Sequence, residues 1–314
     1  MARFFALRES GILLGLIGLC LILALARPAF ANSYNISIVV RQTSFVGMVA
    51  LGQTLVLLTG GIDLSVGFIG GLAGILTSLA MTGLSMPPAA AVAAGLGAGA
   101  FFGVLNGLMI SRVKVNPFIT TLASGEIFAG SILVITGGYP VLNLPASFQF
   151  LGQGTLAGVP MPAVFFAVCG LLLAYALGNT AFGRNIYAIG GNRAAARLAG
   201  IRVERATTVV YLLSGFLAAF GGILFTSRMS SGQPTTGANW VMPCITAAII
   251  GGTSLSGGEG SVLGTVLGAL FMGVLANGIV HMDISPYWER IIIGLVVVLA
   301  VVIDVLRSRK RSRS

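Results

Sequence analysis

The sequence predicts an all-α, polytopic integral membrane protein forming one transmembrane domain over residues 1–314. Three observations predict it. Mean hydropathy is +0.99. Charged residues make up 8% of the chain, against about 25% in a soluble domain. The apolar residues gather into runs close to the ~20 that a spanning helix needs, and charge concentrates in the short breaks between them.

Ten apolar segments succeed one another, at roughly 11–27, 36–58, 66–84, 88–111, 117–137, 160–178, 207–227, 243–257, 261–280 and 288–306. The second and eighth run into glycine-rich breaks, Thr59-Gly60-Gly61 and Gly251-Gly252. The 45 glycines suit close helix packing, because small residues let backbones touch where lipid supplies no hydrophobic drive between helices. The stretch 138–162, rich in Pro and Gly, reads as a short structured excursion on the outer side.

Charge gives the segments a direction. With the N-terminus inside, the cytoplasm receives Arg3, Arg8, Arg112, Lys114, the arginines of a central loop and the tail residues Arg307, Arg309, Lys310, Arg311 and Arg313. These are fourteen of the eighteen basic residues. Only Arg27, Arg41, Arg228 and Arg290 fall outside, as the positive-inside rule requires. Both termini are then cytoplasmic. Arg3, Arg8, the run 12–26 and Ala29-Phe30-Ala31 also have the shape of a signal peptide. Retention as a first helix is expected, since removal would spoil the even count.

The central loop, about 179–206, contains FGRNIYAIGGNRAAARLAGIRVER. It holds Arg184, Arg193, Arg197, Arg202 and Arg205, with Glu204 as its only acid. Such a block belongs in water. A basic tail, 307–314, is its only comparable neighbour. The net charge of +10 does not point to nucleic acid, because the basic residues lie in loops and termini rather than on one face. Cys20, Cys169 and Cys244 sit far apart in apolar segments and suggest neither disulfides nor a metal site. No phosphate-binding loop, catalytic triad or dinucleotide fingerprint is present. The chain is therefore expected to be no enzyme and to carry no cofactor of its own.

One pattern recurs. GGIDLSVG at 60–67 and GGTSLSGG at 251–258 share G-G-x-x-L-S-x-G, each after a segment that runs inward. Glycine permits tight turns there, while Ser and Asp can cap the next helix. Broken helices at membrane depth are tolerated against protein or a wet cavity, so the recurrence suggests a two-halved, pathway-lining architecture. Gly60, Gly61, Gly251 and Gly252 are candidate pathway residues on that ground. Asp63 reads either as a cap for the following helix or as an ion or proton site. Glu126 stands mid-segment, where it lines a polar path or makes an interhelical hydrogen bond. Gln53, Asn106 and Asn277 are further polar residues in apolar segments. Asn239-Trp240 either stacks on a sugar ring or anchors at the membrane interface.

Five blocks, in order, then carry a resemblance. They are ALGQTLVLLTGGIDLSVG, LNGLMISRVKVNPFITTLASGEIFAG, FGRNIYAIGGNRAAARLAGI, IGGTSLSGGEGSVLGTVLGAL and SPYWERIIIGLVVVLAVVID. The chain resembles, over nearly its whole length after Asn35, the membrane subunits of bacterial ABC importers for ribose, xylose, galactose and related sugars. The resemblance implies a multi-pass protein of the bacterial inner membrane that moves a monosaccharide or polyol inward by alternating access. It implies a second permease subunit, the same or different, cytoplasmic ATP-binding subunits holding ATP and Mg, and a periplasmic sugar-binding protein. The arginine loop resembles that family's ATPase-docking loop, which assigns Arg184, Arg193, Ala195, Ala196, Arg197, Gly200 and Ile201 to coupling. Departures are visible. Asn192-Arg193-Ala194 stands where relatives have Asn-Pro-Glu, and Val241, Pro243 and Ile293 replace charged residues. These losses suggest an atypical substrate or a heterodimeric permease. The remaining readings are an importer of nucleosides or other small polar solutes, an ion-coupled carrier using Asp63 or Glu126, and a passive channel, which fits the elaborate basic loop badly.

Overall fold

The computed structural model describes residues 9–285 and 287–311, with side chains omitted at 289, 300 and 303–311. Arg3, Arg8 and Arg313 lie outside the described residues, as do the side chains of Arg307, Arg309, Lys310 and Arg311. The chain is mostly helical. In order come α1 (Ser10–Ala26), α2 (Ser33–Leu58), α3 (Val66–Thr82), α4 (Pro88–Leu108), α5 (Pro117–Thr136), α6 (Ala146–Gln153), α7 (Met161–Asn179), α8 (Ala181–Gly191), α9 (Arg193–Leu198), α10 (Val203–Met229), α11 (Val241–Ile250), α12 (Val262–His281) and α13 (Tyr287–Arg311). A two-stranded hairpin, β1 (Thr155–Leu156) with β2 (Val159–Pro160), joins α6 to α7. The excursion expected over 138–162 is thus a short helix and a hairpin.

Helix starts follow their sequence signals. Proline occupies the first turn of α4 and α5, where its missing N–H is no loss. The Asn116 side chain accepts from the Phe118 amide, and Ser261 accepts from Gly264. Among the described residues, five helices are long and apolar enough to cross a membrane: Pro88–Val113 (α4 and the π turn after it), α5, α7, α10 and α12. The shorter apolar helices include α1, α3 and α11.

The core is built around α10, which is 61% buried in its apolar window, against 22% for Pro88–Val113. It packs against α2, α3, α4 and α6. Glycine makes the approach possible. A Cβ on Gly103 would overlap the Tyr211 carbonyl, and one on Gly107 would come within 2.8 Å of Thr208 Cα. Tyr211, Met48, Leu51 and Leu55 fill the centre, fully buried.

The two segments that run into glycine-rich breaks differ. The second is an unbroken helix, α2, of 26 residues. The eighth is broken, but earlier than the sequence suggests. Its helical part, α11, has 10 residues, and the 11 residues before it, 230–240, are not helical. That stretch runs beside α3. Gly232 packs on Ser78, the Thr236 carbonyl lies against Gly71, and the Gly237 carbonyl lies against Gly67. From Ser78 to Gly67 the descent is about 16 Å at ~1.5 Å per helical residue. A paired bridge between Val141 and Gly232 holds its upper end, with both N···O distances at 2.9 Å.

The end of the bundle near Asn35 and His281 is clipped by side chains. Asn35 and Asn277 exchange two amide bonds of 3.0 and 2.9 Å, and His281 Nε2 lies 2.9 Å from Asn35 Oδ1. Arg27 pairs with Asp283 at 2.6 Å. Asn277 therefore fastens α12 to α2.

Candidate functional site

Helix α2 ends in a Schellman turn. Gly60, at φ +75, donates to the Leu57 carbonyl, and Gly61 donates to Val56. The chain then folds back alongside its own helix. The Gln53 amide meets the Asp63 backbone on both sides at 3.2 Å, donating to the carbonyl and accepting from the N–H. Asp63 does not cap α3. Its Oδ1 accepts from the Ser65 amide at 2.9 Å and the Ser65 hydroxyl at 2.6 Å, which closes the turn. Asn106 on α4 donates to Ser65 Oγ at 2.9 Å, and Ser214 on α10 donates to Asp63 Oδ2 at 3.5 Å. Three of the sequence's candidate pathway residues, Gln53, Asp63 and Asn106, thus meet in one knot. It is closed to solvent, with Gln53 and Asp63 at 0% exposure. Gly61 is fixed there because a Cβ would press on the Tyr211 hydroxyl at 2.8 Å.

The second motif uses the same turn in a shifted register. Here Gly252, at φ +93, donates to Ile249, and Thr253 donates to Ala248. Gly251 sits one step earlier and packs on Gly264. Ser254 Oγ accepts from the Ser256 amide at 3.3 Å, the counterpart of the Asp63–Ser65 bond. The two motifs touch: Gly258 N–H donates to the Leu58 carbonyl at 2.9 Å.

Helix α8 closes over that contact. A Cβ on Gly190 would overlap both the Leu58 carbonyl and the Gly258 amide. Tyr187 Oη donates to the Gly260 carbonyl at 2.9 Å. The arginine loop is therefore keyed into both glycine-rich turns, a contact that spacing in the sequence gives no sign of.

From α8 the chain passes Asn192, whose side chain caps α9 by accepting from the Ala195 amide at 2.9 Å. Helix α9 closes in a third Schellman turn, with Gly200 at φ +82 donating to Arg197 and Ile201 donating to Ala196. Ala196 and Ile201 face inward, packed with Ile189, Val203 and Ala206. Arg184, Arg193, Ala195, Arg197 and Gly200 are exposed. Arg193 donates to Thr207 at 3.3 Å, and Arg197 pairs with Glu204. The residue that sequence reading missed is Leu198, 91% exposed at the tip of α9. A lone leucine among alanines and arginines gives little signal until the helix face is known.

Glu126 is not part of the knot. Its neighbour Gly125 packs toward Leu64, Ser65 and Phe68, and Glu126 is exposed on α5 beside the exposed Leu122 and Ile127. Trp240 is half-buried. It lies against Phe225, 5.4 Å between ring centres at 86°, with its ring edge toward Gly70. The two rings border a cavity of about 280 Å³ beside the non-helical stretch.

Close-packed apolar helices around α10 are the architecture of a multi-pass membrane protein, and comparison with known proteins gives its class as a permease. The chain belongs to the family described as "Branched-chain amino acid transport system / permease component", whose model matches residues 35–301. It is 40% identical over 308 residues to the ribose import permease protein RbsC of Bacillus subtilis (strain 168), covering 98% of this chain and 94% of that protein. RbsC of Escherichia coli (strain K12) is 39% identical over 309 residues, 96% of each chain. The L-arabinose transport system permease protein AraH of Escherichia coli (strain K12) is 36% identical over 284 residues, 90% of this chain and 86% of that one. No solved structure matches. The protein is a multi-pass protein of the inner membrane.

Proposed function

We propose that this chain is the permease subunit of an ABC importer that carries a monosaccharide into the cytoplasm. The observation that carries the reading is the match to a ribose import permease over 98% of the chain. Transport systems of this kind draw their energy from partners: two cytoplasmic ATP-binding subunits with ATP and Mg, a periplasmic sugar-binding protein and a second permease copy. The single permease domain spans the bilayer ten times with both termini in the cytoplasm, a count supported by the distribution of basic residues.

In this reading the segment 179–206 is the coupling loop. Leu198 enters a cleft of the ATPase, flanked by Arg193, Ala195, Arg197 and Gly200, with Arg184 on α8 beside them. Ala196 and Ile201 hold α9 to the membrane domain rather than touching the partner. Motion of α9 reaches α8 directly, and α8 meets both glycine-rich turns at Gly190. Those turns, with Gly60, Gly61, Gly251 and Gly252, act as hinges of the pathway. The knot of Gln53, Asp63 and Asn106 closes one of them. Glu126 faces the second permease subunit, because a carboxylate mid-bilayer is costly against lipid, roughly 2.5–3.5 kcal/mol on insertion scales.

The test is reconstitution. Proteoliposomes containing this permease, its ATPase and its binding protein are expected to accumulate D-ribose or a related sugar only with ATP. Uptake driven by a proton or sodium gradient without ATP would establish the ion-coupled carrier instead.

A further inference from the structure

We infer that the cavity beside residues 230–240 is a transit subsite for one uncharged monosaccharide, with the Trp240 ring as its stacking wall. The inference rests on the importer reading above and adds a place for the sugar within this chain.

Backbone geometry comes first. A spanning segment needs roughly 30 Å of hydrocarbon depth, and the 10 residues of α11 supply about half of that at ~1.5 Å each. The remaining half is the non-helical, turn-rich stretch that descends along α3. Non-helical backbone at that depth persists only where protein covers it or where it lines a wet cavity. Here both hold. The Thr236 and Gly237 carbonyls are pressed on the glycines of α3, while Gln233, Thr235, Thr236 and Asn239 line the cavity.

The lining suits a sugar. Phe225 and Trp240 offer apolar rings for the C–H face of a pyranose or furanose. Amides and hydroxyls surround them. Thr236 forms part of the wall, with its hydroxyl shut off from the cavity. The polar groups open to a ligand are those of the exposed Thr235 and Asn239 and the half-buried Gln233. Gln233 uses one amide hydrogen on Ser231 Oγ at 2.7 Å, so its carbonyl and second hydrogen are available to a ligand.

Size and charge narrow the ligand. About 280 Å³ lies at the lower edge of the ~300–1,000 Å³ typical of small-molecule pockets. None of the lining residues is charged. Arg290 reaches Asn239 Oδ1 at 3.3 Å from outside the lining, but the lining has no carboxylate to pair the ammonium of a branched-chain amino acid, whereas a neutral polyol needs only hydrogen bonds and ring faces.

Replacing Trp288 by Phe leaves Trp240 as the single tryptophan of the full-length chain. In lipid nanodiscs this variant is titrated with D-ribose, D-xylose, L-arabinose, D-fructose and L-leucine. The expected result is a saturable fluorescence change with at least one sugar, half-maximal in the millimolar range, and none with leucine. The half-buried Gln233→Leu weakens it roughly fivefold, the loss of one hydrogen bond, with unchanged circular dichroism. Sugar uptake by the assembled transporter without any saturable change at Trp240 overturns the subsite alone. A leucine response overturns the sugar assignment. Absence of ATP-driven uptake of all four sugars overturns the importer reading and the subsite with it.

Discussion

GGIDLSVG and GGTSLSGG differ at three of eight positions, yet they build different joints. In the first, Gly60 takes the left-handed position; in the second it is Gly252, one place later in the pattern. That shift alters the surroundings of the fourth residue in each motif. Asp63 is buried in a net of Ser65, Ser214, Asn106 and Gln53. Its counterpart Ser254 makes a longer bond to a residue, Ser256, that is exposed. The first joint is locked around a buried carboxylate by side chains from three helices, and the second has a neutral hydroxyl in that place. A shared pattern thus specifies the helix stop, which glycine chemistry dictates, while the packing around it decides how firmly the stop is held.

The difference can be broken from the coupling side first. Leu198→Asp places a charge at the exposed tip of α9 and is expected to abolish sugar uptake and co-purification of the ATPase, while the permease itself folds normally by thermal denaturation in detergent. Next comes the locked joint. Asp63→Ala removes the acceptor of both Ser65 bonds and leaves buried donors unpaired, at about 1–3 kcal/mol each. A clear drop in thermal midpoint is expected, with Asp63→Asn intermediate because it keeps one acceptor oxygen. The matching change in the second joint, Ser254→Ala, should destabilise less, because it removes a neutral hydroxyl, at about 0.5–1.5 kcal/mol per hydrogen bond, rather than a buried carboxylate. Equal losses at the two positions would end the distinction between the joints. Smallest is Arg197→Ala. Its pair with Glu204 is exposed at 57% and 41%, and such surface pairs contribute roughly 0–1 kcal/mol, so stability should barely move.

Much of this architecture is legible in the sequence. Composition and charge point to the polytopic helical class, and the glycines of 60–67, 251–258 and Gly200 mark real helix ends, because a left-handed residue is a local requirement. Gln53, Asp63 and Asn106 are readable as buried polar residues, though not as partners, since they come from separate helices. The stretch 230–240 is not legible. Its Ser, Gly, Gln, Pro and Thr content reads as an outer loop, and only the glycine face of α3 draws it inward. For the same reason Trp240 can be taken for an interfacial anchor. Gly190 resembles ordinary punctuation of a loop, because nothing local reveals that two distant turns meet there.

Gly190 is therefore the decisive position for coupling through α8. Its α-hydrogen faces the contact between the Leu58 carbonyl and the Gly258 amide, and overpacking such a site typically costs about 1–3 kcal/mol. The direct measurement is ATP-driven sugar uptake by the assembled transporter carrying Gly190→Ala, alongside its ATPase activity. The ATPase is expected still to bind and hydrolyse ATP while uptake falls more than about tenfold, because α8 no longer transmits its motion to the two turns. Uptake at the wild-type rate in a correctly assembled Gly190→Ala transporter would contradict coupling by this route.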